Sequence, residues 1–440
     1  MNITEDRHHL QKVSVFNVSL TILLILESDR LITSIIGLDK VLASWLYSAL
    51  IFVSFFCALA KLALKNKFKE SKYFYYPIIV FAVIFIVSAI SATVIFPKPT
   101  TDWLPSLYTF APLFIFYAFY LLDIQERELS ITFISIAIIV STLLIIDRIQ
   151  PIDFLNDYFR PSSFIDEKRR IVILKNEVIF GIIALLSLII CGKMSLIKRQ
   201  ALIAIALLLF LTQVLVMESR LGLIAIFVAS VMLLYLNGLS KKVFATICVS
   251  SVLGSILIPT IFDQYIEKLM SMSVDDKSSN IGIRIDSVEH AFKIYLESYG
   301  LGVGSMSPTG VINNILTSDP RYNIADTGAF STLAQFGPFG LYIWIFLTVK
   351  CLKSFKQRFF ESKKTSYFSA ASYALLMGFT VSVLPLSFFT QSWNITMGGV
   401  LLYLLWIYKR KPLYGKSVSR KSKIIKAVPI HYAHNNQIPS

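Results

Sequence analysis

Residues 201–236 read ALIAIALLLFLTQVLVMESRLGLIAIFVASVMLLYL. Two apolar blocks, 201–217 and 221–236, are parted only by Glu218, Ser219 and Arg220. A hydrocarbon core of roughly 30 Å needs about 20 residues of helix, so each block approximates one membrane crossing and the polar interruption reads as a turn. The rest of the chain repeats this pattern. Its 440 residues are 55% hydrophobic and 16% charged, with a mean hydropathy of +0.67, whereas soluble domains average about 45–50% apolar and about 25% charged. That balance excludes a single soluble core, a disordered polymer and a secreted disulfide scaffold. The four cysteines (Cys57, Cys191, Cys248 and Cys351) fall in or beside apolar blocks.

Working outward from 201–236, the apolar blocks predict twelve spans near 13–36, 41–64, 73–96, 106–122, 129–146, 177–192, 201–217, 221–236, 243–262, 327–349, 367–389 and 393–408. The expected fold class is therefore an all-α polytopic integral membrane protein with about 12 transmembrane helices. Its membrane domain covers 1–408 and a basic tail 409–440. The first block lacks a small-residue cleavage pattern after Ile36 and is expected to remain as a helix. No repeat of 20–50 residues is visible.

A net charge of +15 would suggest nucleic acid if the chain were soluble; in a membrane chain it orients the helices. With a cytoplasmic N-terminus, most Lys and Arg fall inside, at 65–69, 193–199, 241–242, 350–364 and the tail from Lys409 to Lys426. That tail, without an acidic residue, suits an anionic inner leaflet rather than nucleic acid. Both termini are expected to be cytoplasmic. Two outer loops are then long, 147–176 and 263–325, and any chemistry is expected on that side.

The larger loop holds IRIDSVEHAFKIYLES, residues 283–298. Ile285, Val288, Phe292, Tyr295 and Leu296 recur at three- and four-residue steps, predicting an amphipathic helix whose polar face carries Arg284, Asp286, Glu289, His290 and Lys293. It runs into Gly300-Leu301-Gly302-Val303-Gly304, which is either a tight turn or a set of exposed N–H groups able to hold an anion. No buried strand precedes it, so a dinucleotide fingerprint is excluded. At the loop's end Asp326 is an N-cap or a reactive carboxylate. Arg220 either pairs with Glu218 or offers a guanidinium fork to phosphate oxygens. The shorter loop adds Arg160, Lys168, Arg169 and Arg170 beside Asp166 and Glu167, and outer cations run against the orientation rule, which favours an anionic ligand there. Of five histidines only His290 is expected outside, and no paired-carboxylate motif sits at a span mouth. No metal and no cofactor are expected.

In this order the elements resemble the O-antigen polymerase and ligase superfamily: Ser219-Arg220-Leu221-Gly222 opening a span, a large outer loop, Arg284 leading the helix into the glycine run, then Asp326-Thr327-Gly328, Leu333 and Phe336-Gly337-Pro338-Phe339-Gly340. The resemblance covers 218–345. It implies a GT-C-like glycosyltransferase of the bacterial inner membrane whose donor and acceptor are undecaprenyl-diphosphate-linked glycans, with membrane lipids and a chain-length regulator as further partners. The superfamily's Arg-x10-Gly spacing is met by Arg170 and Gly181; Arg284 has no glycine at that distance and is carried over by its place before the helix. Ligases of the superfamily carry a His near the end of the large loop, where this chain has Asp326, so a polymerase is favoured over a ligase. On this reading Arg220, Arg284 and Arg170 hold the diphosphate, and Asp326, Glu289 or His290 takes the acceptor proton. Tyr295, Tyr299 and Tyr322 are candidates to stack on sugars. A flippase is the competing class, disfavoured because the charges sit at the outer rim rather than at midplane.

Overall fold

The structure is a computed structural model that describes residues 13–28, 31–37, 40–64, 72–95, 97, 100–150, 175–191, 195–215, 220–236, 280–305, 329–362 and 392–410. The described residues are helical or in short connections, without a strand. They form α1 (Val15–Ser28), α2 (Leu31–Ile36), α3 (Lys40–Leu64), α4 (Tyr76–Ile90), α5 (Thr100–Trp103), α6 (Ile115–Leu122), α7 (Glu126–Ile149), α8 (Lys175–Cys191), α9 (Leu196–Leu215), α10 (Arg220–Leu236), α11 (Asn280–Glu297), α12 (Ala329–Ser362) and α13 (Ser392–Arg410). Five stretches are long and apolar enough to cross a membrane: Leu42–Leu64, Tyr73–Ile95, Glu126–Asp147, Leu196–Gln213 and Ala329–Ser354. This is the make-up of an all-helical membrane protein.

Ten expected spans coincide with helices; those at 243–262 and 367–389, like loop residues 151–174 and the tail from 411, lie outside the described residues. Three local differences stand out. The 13–36 block carries α1 and α2, and residues 29–30 between them lie outside the described residues. The 106–122 block starts as a 3-10 helix, Pro105–Phe114, because Pro112 lacks an amide proton and cannot join a regular α-ladder. α12 runs on to Ser362, carrying Lys350, Lys353 and Lys356 in helix where a basic loop was expected.

Residues 107–122 form the core. Ile115 to Tyr120 are all buried, as a helix apolar on every side must be. Around it lie α3, α4 and α13, and aromatic rings meet edge to face: Phe74 with Tyr117 at 5.2 Å, Phe119 with Tyr403 at 5.6 Å, Tyr120 with Trp406 at 5.2 Å. Such geometry adds about 0.5–1.5 kcal/mol per pair beyond area burial. Two of the buried tyrosine hydroxyls here are satisfied: Tyr117 donates to the Phe74 carbonyl at 3.0 Å and Tyr403 to that of Ile124 at 2.9 Å. Glu128, also buried, accepts from the Gln125 and Ser14 amides at 2.9 and 2.8 Å and from Asn17 Nδ2 at 3.3 Å, so one carboxylate caps α7 and anchors the start of α1.

A second packing device joins α7 to α8. Gly181, at the spacing from Arg170 noted above, lies inside α8 against α7: a Cβ there would stand 2.1 Å from the Ala137 Cβ and 2.7 Å from the Phe133 carbonyl oxygen. Backbones this close need a small residue, the usual glue between helices in lipid. Gly181→Ala is therefore expected to lower the melting temperature of the detergent-solubilised protein by the equivalent of about 1–3 kcal/mol of overpacking, and Gly181→Leu to abolish a monodisperse peak in size-exclusion chromatography.

Candidate functional site

α11 is the predicted helix of 283–298, but it does not turn its large apolar residues inward. Against α12 it buries Ser287, Ala291, Ile294 and Ser298, steps of four, three and four. This small-residue stripe lets the two backbones approach where Phe292 and Leu296 would hold them apart; Phe292, Leu296 and Tyr299 stay 45, 59 and 86% exposed. The third face carries Asp286, Glu289, His290, Lys293 and Glu297. Its one described ion pair, Lys293 with Glu297 at 3.8 Å, is mostly solvated and contributes little.

The helix ends in a Schellman turn. The Gly300 amide donates to the Tyr295 carbonyl at 2.9 Å and the Tyr299 amide to that of Leu296 at 3.0 Å. The left-handed residue of this motif, usually glycine, is Tyr299 with φ 51°. A side chain there costs roughly 1–2 kcal/mol.

The next residues lock this turn to α12. Pro338 has no N–H to give the Ala334 carbonyl, and Gly337, at φ 58° and ψ −156°, breaks the helix. The stranded acceptors are filled from outside: the Val303 amide donates to Ala334 O at 2.9 Å and the Gly304 amide to Gln335 O at 2.6 Å. Leu301 N–H reaches the Ser298 carbonyl, Gly302 N–H the Ser298 hydroxyl at 2.9 Å, and Ser305 N–H the Ser88 hydroxyl on α4 at 2.7 Å. Every amide from 299 to 305 is thus engaged within the protein. The glycine run is a structural clasp: of its two readings the turn holds, and its N–H groups are not free to hold an anion. Glycine is needed because a Cβ on Gly302 would meet the Gln335 carbonyl at 2.5 Å, one on Gly304 the Ser88 Cα at 2.5 Å, and one on Gly337 the Gly300 carbonyl oxygen at 2.5 Å. All three also have positive φ.

Beneath the clasp lies a polar floor that sequence reading passed over. Ser88 and Ser91 on the α4 side and Ser331 and Gln335 on α12 are at least nine-tenths buried. Ser88 is satisfied, donating to the Ile84 carbonyl at 2.7 Å and accepting from Ser305. The Ser91 hydroxyl, the Ser331 hydroxyl and Gln335 Oε1 have no hydrogen-bond partner among the described residues. Each such group costs about 1–3 kcal/mol when left unmade. The available signal was polar residues three and four apart, at 88/91 and 331/335, in otherwise apolar spans.

Of the expected site residues, Glu289 is exposed on α11 and His290, beside it, is partly buried. Arg220 is the first residue of α10 and Arg284 lies in the first turns of α11, as backbone positions only. The side chains of both arginines, and the whole of Asp326, Arg170 and Tyr322, lie outside the described residues; Asp326 precedes the start of α12 by three positions. Burial, then the nearby Lys293, lowers the pKa of His290 below its usual value, against the opposing pull of Glu297. The imidazole is thus neutral at pH 7. Because the folded state binds this proton less readily than the unfolded chain, its contribution makes folding less favourable as pH falls below about 6.5. His290→Gln is expected to flatten the fall in melting temperature between pH 7 and 5.5. Gly302→Ala and Gly304→Ala should each lower the melting temperature and open the 300–305 segment to protease. Gly300→Ala, whose Cβ meets only Tyr295 at 3.4 Å, should cost just the left-handed strain. Tyr299→Gly should raise the melting temperature.

Residues 201–345 match the family model described as O-antigen ligase. No individual curated protein matches the chain. The matched segment runs from α9 through α10 and α11 to the clasp and the first half of α12, and it supports the O-antigen polymerase and ligase superfamily, without separating polymerase from ligase, as the group this chain resembles.

Proposed function

We propose that the protein polymerises undecaprenyl-diphosphate-linked oligosaccharide repeat units at the outer face of the bacterial inner membrane, as a glycosyltransferase that needs no metal. The observation that carries this reading is the family match over 201–345, which encloses Arg220, Arg284, α11, the clasp and Asp326 in one segment. In the reaction a hydroxyl of the acceptor's terminal sugar forms a new bond to the donor's anomeric carbon, the bond from that carbon to the diphosphate breaks, and the lipid diphosphate leaves. Arg220, Arg284 and Arg170 are assigned to the charge that develops on the diphosphate, since fixed guanidinium groups stabilise it without a metal ion. The acceptor proton passes to Asp326, Glu289 or His290; the lowered pKa of His290 supports its competence as a base. The partners are donor and acceptor lipid-linked glycans, surrounding lipids and a chain-length regulator, with no role for nucleic acid. Both termini are assigned to the cytoplasm.

The ligase reading is kept because the family's description names that activity: there the completed chain would pass to a different lipid acceptor.

Cells lacking the protein separate the readings. Single repeat units at the surface support the polymerase, long chains left on their lipid carrier the ligase, and no outward glycan a flippase. Arg220→Ala and Arg284→Ala, at normal protein level, should each cut polymer formation by about 10²–10³-fold and collapse the glycan ladder to its shortest bands on a gel. A full ladder removes that residue from the mechanism.

A further inference from the structure

α4 and α12 pack against each other, and three observations give their register. The rings of Tyr76 and Phe346 lie 6.0 Å apart. Further along α4, Gly304 and Ser305 bridge Ser88 to Gln335 through consecutive amides. Position 76 thus faces 346 and position 88 faces about 334, so the helices are antiparallel, and Ser91 falls opposite Ser331. In helices the Cα–Cβ bonds tilt toward the N-terminus. Gln335 therefore leans toward the level of Ser331, while Ser91 leans back toward that of Ser88 and Gln335. Three buried polar groups without a hydrogen-bond partner among the described residues thus fall within about one helical turn of each other along one helix pair.

Their chemistry is neutral. Residues 88–95 and 329–340 contain no ionisable side chain, so this place does not suit a diphosphate; two hydroxyls that donate and accept, with one amide, suit other hydroxyls. Ser91 starts a π-turn, Ser91–Ile95, a distortion frequent at functional sites. One turn on, Val94 is 72% exposed, and on α12 Phe330, next to Ser331, is 40% exposed. Asp326 precedes Ser331 by five residues.

We propose that Ser91, Ser331 and Gln335 form a subsite for neutral hydroxyl groups of the lipid-linked glycan, placed between α4 and α12 below the clasp. This rests on the reading of the protein as an enzyme of lipid-linked glycans, and it makes the three side chains positioning residues. A buried water offers the same hydroxyl chemistry, and the test distinguishes the two sources.

The full chain is purified in detergent as wild type, Ser91→Ala, Ser331→Ala and Gln335→Met. Melting temperature is measured alone, with the lipid-linked repeat unit extracted from cells lacking the protein, and with undecaprenyl diphosphate bearing no sugar. Elongation kinetics are measured on the same samples. A glycan subsite predicts that the serine variants keep or raise the melting temperature of the protein alone, since unsatisfied hydroxyls are removed. It also predicts that they lose the part of the thermal upshift that depends on sugar, and that KM for the repeat unit rises roughly five- to tenfold with kcat within about twofold. A lowered melting temperature with unchanged KM identifies a structural water and overturns the proposal, as does an unchanged sugar-dependent upshift. Should Gln335→Met fail to fold, the two serine variants decide. If wild type does not elongate but its sugar-dependent upshift needs Ser91 and Ser331, the polymerase reading fails and the subsite stands. If wild type elongates and the variants keep its KM, the subsite alone fails.

Discussion

Two carbonyl groups on α12 organise the contact of α11 with α12 and α4. Pro338 and the turned backbone of Gly337 deprive Ala334 and Gln335 of their helical donors, and in an apolar interior such acceptors must be met. Val303 and Gly304 meet them. A broken helix thereby becomes a docking site for an extended segment, and the end of α11 is held against α12 and α4 at once. The three glycines follow from this requirement: close backbone approach and positive φ at 302, 304 and 337 leave no room for a Cβ.

The clasp also explains the unusual face of α11. Once its C-terminal end is pinned by amides 299–305, the contact with α12 is set by backbone distance rather than by apolar area. Ser287, Ala291 and Ser298 fit that distance, and Ser298 uses its hydroxyl both to bond the Tyr295 carbonyl and to receive Gly302 N–H. Phe292, Leu296 and Tyr299 are left on the outer side of the helix. Below it, Ser91, Ser331 and Gln335 are buried, and the two hydroxyls and Gln335 Oε1 have no hydrogen-bond partner among the described residues.

Much of this frame was legible from the chain alone. Long apolar blocks locate helices because lipid leaves the backbone no partner but itself; helices lie at ten of the expected positions, five of them long and apolar enough to cross a membrane, and a helix begins at Asn280. Register and facing were less legible. Periodicity marked Ile285, Val288, Phe292, Tyr295 and Leu296 as the apolar face of α11, yet it reports only where apolar residues lie; the contact with α12 is made through Ser287, Ala291, Ile294 and Ser298. The glycine run gave no sign of its acceptors, since these appear only when a distant proline breaks α12. Ser88 and Ser91 looked like ordinary small residues of a span until the antiparallel pairing set them across from Gln335 and Ser331. For the arginines and Asp326 the reasoning stays chemical: a departing diphosphate calls for fixed positive charge and an acceptor hydroxyl for a base.

The contact of Gly181 with Ala137 bears on traffic within the membrane. Where two helical backbones touch through a missing side chain, no crevice is left for a hydrocarbon tail. Hydrocarbon chains of a surrounding bilayer are therefore kept out of the boundary between α7 and α8 where Gly181 meets Ala137, and anything lipid-borne that passes between helices must do so along another flank.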